Sequence, residues 1–188
     1  MHWHRLAAFL LGCLILGSAF MIFVATQNFA TVDRVLADPP QQAAQMFQTL
    51  GEGNGRLLLR YLAGEENRLF FLSWELVQIA FGALLTGVLL LAIKSRLLAG
   101  IVGATVIVAL FQHFQVTPQM VAIGRFTAFG VDVHLAEYNQ FWKLHALYGA
   151  LEVAKLALLA VATGILLFSR KVKSPDAVAV ESRFANQA

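Results

Sequence analysis

His145, Tyr148, Glu152 and Lys155 follow one another at intervals of three, four and three residues in an otherwise apolar stretch. On an α-helix these intervals place side chains on one face, and Phe141 and Leu159 extend the stripe in both directions. At ~1.5 Å per residue, Glu152 lies roughly 16 Å along the helix from Phe141. That is near the middle of a ~30 Å hydrocarbon layer. Ionisable groups at such depth are costly and face a bundle interior or a water-filled cavity. An imidazole, a phenol, a carboxyl and an ammonium on one face are groups that pass protons or hold cations.

Partners occur on two other apolar stretches. Glu75 and Gln78 share a helical face with Gly82, while Gln112, His113 and Gln115 sit near the end of another run. The expected cluster is therefore Glu75, Gln78, Gln112, His113, His145, Tyr148 and Glu152, with Lys155 at its inner edge, opening outward. Plainer roles exist for several members. Lys155 either snorkels or pairs with Glu152, Glu75 either turns inward or pairs with Arg68, and His113 serves equally well as an interfacial hydrogen-bond partner. Tyr148 and Trp142 also suit an interfacial aromatic belt.

Three uses of the cluster follow: handling a proton, holding a transition metal, or bracketing haem b between His113 and His145. No helix carries Glu-x-x-His, which argues against a di-metal carboxylate centre, and the missing Cys-x-x-Cys-His excludes only covalent haem. His2-x-His4 is a weak copper or nickel motif that a helix end explains more simply. Gly51-x-Gly53-x-Gly55 mimics a phosphate loop, but no strand precedes it and it reads as a turn. Nothing in the chain establishes catalysis.

The elements that must position these residues are membrane helices. The chain is 59% apolar and only 13% charged, where a soluble domain carries about a quarter charged residues. The net charge of +3 does not gather on one face or tail, so no nucleic-acid partner is expected. Four apolar runs predict an all-α, integral membrane four-helix bundle whose main solvent is the lipid bilayer, with helices over about 6–26, 69–93, 97–116 and 141–169. The first run is too long for an ordinary signal peptide and lacks a clean cleavage site. Short amphipathic helices are expected in the outer loops, chiefly over 38–64, with Asp38 as an N-cap ahead of Pro39 and Pro40 and Gly51 as a stop. Pro118 opens the other outer connection, which also holds Arg125, Asp132, His134 and Glu137. Arg5, Lys94, Arg96, Arg170, Lys171 and Lys173 mark the cytoplasmic side, which puts both termini there and leaves 174–188 as a disordered tail. Cys13 is a lone thiol within an apolar run and forms no internal disulfide.

Pro118 after the third run, Arg125 in the following segment and Phe141-x-x-Leu144-His145 at the head of the fourth resemble a family of small four-helix bacterial membrane proteins. That family is defined as a domain of unknown function, and it includes a eukaryotic transmembrane protein associated with drug tolerance. The resemblance spans the four-helix core; the segment from Gln27 to Arg68 looks unlike the average member. It implies a bacterial inner-membrane location. More remotely, the family is similar to copper-resistance membrane proteins and to a haem-binding porphyrinogen oxidase, which implies a ligand role for His145. A structural or assembly role is the remaining class, with Glu152 and Lys155 meeting charges on other membrane subunits or on a homo-oligomer. Gly100 and Ala104 offer a small-x-x-x-small face for such packing.

Overall fold

The computed structural model describes residues 2–127 and 135–168. The basic run at Arg170, Lys171 and Lys173, the tail 174–188, Asp132 and His134 lie outside the described residues. Six α-helices make up the rest: α1 (His2–Ala37), α2 (Gln41–Leu50), α3 (Glu52–Leu91), α4 (Arg96–Phe111), α5 (Thr117–Thr127) and α6 (Leu135–Phe168). A π-turn, Gln112–Val116, joins α4 to α5. There is no strand among the described residues.

These elements form four rods: α1, α3, α4 continued through α5, and α6. Each is long and apolar enough to cross a membrane. Packing runs in a closed ring, α1 on α3, α3 on α4, α4 on α6 and α6 back on α1. Successive rods run antiparallel, so the start of α1, the turn between α3 and α4, and the end of α6 share one end of the bundle. Arg5, Lys94 and Arg96 cluster there. Lipid-type side chains stud the outside of every rod, among them Phe9, Phe20, Leu84, Leu91, Ile107, Phe114, Val161 and Phe168. An apolar outer surface of this kind is what a bilayer requires.

Inside, the half of the bundle nearest the basic end is wholly apolar. Leu11, Leu85, Leu89, Val102, Leu159 and Ala162 are all buried and pack into one cluster. The rods also approach closely in places. A Cβ built on Gly17 would lie 2.0 Å from the Trp74 ring, so glycine is what lets the indole lie on α1. Gly17→Ala is expected to displace that ring and cost about 1–3 kcal/mol, measured by unfolding in mixed micelles.

The outer segment differs from the expectation. α2 forms as predicted, and Gly51 ends it with φ +81°, a value glycine adopts without strain. Asp38, however, is not its cap: Pro40 occupies that position with no side-chain cap bond. The short helix expected near Arg56 to Ala63 is the start of α3, and α1 runs on to Ala37. The reason is that these extensions support one another. Asn28 donates to Asn67 at 2.6 Å, Asn67 donates to the Ala25 carbonyl at 3.2 Å, and Arg60 sits 5.3 Å over the Phe29 ring. Val32 and Ala63 are buried between them. Polar bonds thus let both helices outlast their apolar runs.

Pro118 likewise starts no connection. Its ring and missing N–H disturb an α-helix, and the disturbance is absorbed by widening the preceding turn into the π form rather than by ending the rod. Such single π-turns are common at functional sites. α6 also begins earlier than expected, at Leu135 rather than near 141, because α5 packs on it beyond the apolar run.

Candidate functional site

The π-turn sets up the first half of the site. It presents His113 and Thr117 together toward α3, where Glu75 is fully buried. His113 Nδ1 lies 2.9 Å from Glu75 Oε2, and the Thr117 hydroxyl donates to Glu75 Oε1 at 2.6 Å. The His113 side chain keeps 18% of its surface exposed, so this pair is the outward end of the network. Thr117 is buried, and its bond to a carboxylate is of the charged kind, contributing about 1.5–3 kcal/mol. Thr117→Val keeps the shape and is expected to lose that amount, read as a lower unfolding free energy in detergent.

The second half is built by α6, α3 and α1. Lys155 Nζ donates to Glu152 Oε1 at 2.7 Å and to Gln78 Oε1 at 2.6 Å. Gln78 in turn donates from Nε2 to the Ser18 hydroxyl at 3.0 Å, with Glu152 Oε2 at 3.5 Å, and the Trp74 indole N–H reaches Ser18 at 3.3 Å. Glu152, Lys155 and Gln78 are all buried. Lys155 has one further N–H beyond these two bonds, and it lines a cavity of about 10 Å³ with Gln78, Thr105, Leu14 and Leu159. That is room for about one water.

Tyr148 links the two halves. Its hydroxyl lies against the carboxylates of both Glu75 and Glu152 and interacts with each. It makes no hydrogen bond of good geometry among the described residues, although the side chain is buried. The ring is fixed by Phe71, edge-on at 5.6 Å. Gln112 donates to the Tyr148 carbonyl at 3.3 Å, and its own Oε1 is a second buried atom without a partner among the described residues.

Of the eight residues singled out from sequence, seven meet in this network: Glu75, Gln78, Gln112, His113, Tyr148, Glu152 and Lys155. His145 does not join it. It is exposed, with its ring 5.9 Å from Phe141 and 5.5 Å from Trp142. His113 turns inward to Glu75 while His145 stays on the outer surface, so the two imidazoles do not converge as an axial haem pair must. The described residues contain no group of three or more His, Cys, Asp or Glu placed to hold a metal ion. Arg68 is committed elsewhere, to Glu65, which also takes a bidentate pair of 3.0 Å bonds from Arg125. Glu75 is therefore free of Arg68. Ser18, Trp74 and Thr117 are network members that sequence reasoning missed. Thr117 follows His113 by four residues, and Ser18 is the sole hydroxyl between Leu6 and Ala25; each spacing was a usable signal.

Counting ~1.5 Å per residue from the basic end, the network spans about 20–30 Å, the outer half of the bundle. Long apolar rods around a buried polar core define a multi-pass membrane protein by length and composition. No family model matches the chain, and neither a curated protein nor a solved structure is similar to it.

Proposed function

We propose that this is a bacterial inner-membrane protein, with both termini cytoplasmic, that binds and releases a proton on the outer side through Glu75, His113, Tyr148 and Glu152. One observation carries the proposal: two buried carboxylates face one buried ammonium. With Glu75 and Glu152 ionised and Lys155 charged, the network holds one excess negative charge in an apolar layer. A net charge there is expensive, and a single proton, shared by the coupled groups, cancels it. The orientation is supported by Arg5, Lys94 and Arg96 at one end. Exchange with the outer phase is supported by the part-exposed His113 at the rim and by the apolar core beneath Lys155, which carries no proton donor or acceptor side chain.

The test is infrared difference spectroscopy of the reconstituted full chain as the outer pH is stepped. A carboxylic acid C=O band that rises and falls reversibly is expected, and Glu75→Gln should remove or displace it. A wild type showing no titrating carboxyl band would sink the proposal. His145→Ala, away from the network, should leave the band unchanged.

A further inference from the structure

The geometry points to a site for one small monovalent cation of the sodium or lithium class, between the carboxylates of Glu75 and Glu152 and under the Tyr148 hydroxyl, where the cation competes with the proton. The inference rests on the proton-binding reading and names what else the same charge deficit admits. The groups facing this position are Glu75 from α3, His113 from the π-turn, and Tyr148, Glu152 and Lys155 from α6; α1 brings only Ser18 to the network.

Three observations carry it. First, the Tyr148 hydroxyl is buried and directed at both carboxylates, yet it has no well-formed hydrogen bond among the described residues. A buried polar atom left in this state asks for a partner. Second, the Glu152 carboxylate is under-coordinated: Oε1 accepts from Lys155, whereas Oε2 has only the 3.5 Å contact to Gln78. Third, the ligands are hard oxygens, which suit small hard cations rather than zinc or copper.

Charge decides the valence. The excess is one negative charge, so a monovalent ion neutralises the network and a divalent ion overshoots it by one. Close packing decides the size: the cavity adjoining the network is about 10 Å³, which favours a dehydrated sodium or lithium ion over potassium. The Tyr148 hydroxyl then donates its proton to a carboxylate and turns a lone pair to the ion.

The experiment follows thermal unfolding of the detergent-purified full chain while NaCl replaces choline chloride at constant ionic strength, with LiCl, KCl and CaCl₂ as comparisons. A midpoint that climbs with sodium or lithium, much less with potassium or calcium, is expected. That climb should shrink as the solution is made acidic, and sodium should in turn weaken the titrating carboxyl band at fixed pH. Tyr148→Phe keeps the contact with Phe71 and should abolish the sodium dependence. Sodium dependence that survives undiminished in Tyr148→Phe places the ion elsewhere and overturns the inference. A carboxyl band that titrates with no specific sodium effect overturns it too, leaving a water under Tyr148 and the proton reading intact. If neither the band nor the sodium effect is seen in wild-type protein, both readings fall together.

Discussion

Lys155→Met is expected to destabilise the bundle by about 3–5 kcal/mol, the usual consequence of removing one partner from a buried ion pair. Methionine matches the aliphatic stem of lysine, so the loss reports the charge and not the packing. What remains is a buried Glu152 carboxylate whose only polar contact is Gln78 at 3.5 Å. Gln78 loses its donor at Oε1 at the same moment. The double variant Lys155→Met, Glu152→Leu removes both charges and should recover most of the loss, because well-packed apolar replacements of buried ion pairs are often neutral. Unfolding free energies of the two single variants and the double variant give the coupling directly. A Lys155→Met protein as stable as wild type would mean that the ammonium does not sit in the bundle as described. The same measurements bear on an assembly role. Glu152 and Lys155 satisfy each other inside the chain, so their substitution should be felt by the isolated protein and not only through loss of a partner.

The stripe on α6 was legible because hydrophobic periodicity exposes its exceptions: an ionisable residue inside an apolar run has to be explained. What the spacing alone did not reveal was the width of the buried sector. On a helical wheel of 100° per residue, Tyr148, Glu152, Lys155 and Leu159 fall within about 60°, with His145 on the rim beyond Glu152. A residue on the rim is buried only where a neighbouring rod covers it, and no rod covers His145. The outer extensions were illegible for a different reason. Apolar runs mark where lipid needs a helix, but α1 and α3 continue past that boundary on asparagine bonds and an arginine–phenylalanine contact, none of which has a periodic signature. Ser18 and Thr117 were overlooked because single hydroxyls are tolerated in membrane helices. Their importance comes from Gln78 and Glu75, which lie 60 and 42 residues away.

The apolar half of the bundle predicts the second large effect. Between Lys155 and the basic end, roughly 16 Å of each rod contributes only side chains such as Leu11, Leu85, Leu89, Leu159 and Leu166 to the interior. If protons exchange only with the outer phase, this stretch is the barrier. Leu85 is fully buried and lies seven residues from Gln78 on the same face of α3, about two helical turns deeper. Leu85→Asn puts an amide into the barrier, and Leu85→Ala leaves a void of similar position without one. Both should lose about 2–5 kcal/mol, through lost packing in each and an unpaired amide in the first. Their effects on the barrier should differ, because an empty apolar cavity stays dry whereas a polar group recruits water. Vesicles containing Leu85→Asn should therefore leak protons under an imposed pH gradient, while wild type, Leu85→Met and Leu85→Ala stay tight. Equal leakage from the alanine and asparagine variants would assign the barrier to packing alone. A leaky wild type would show that the network already communicates with both sides, and that outward-only exchange is wrong.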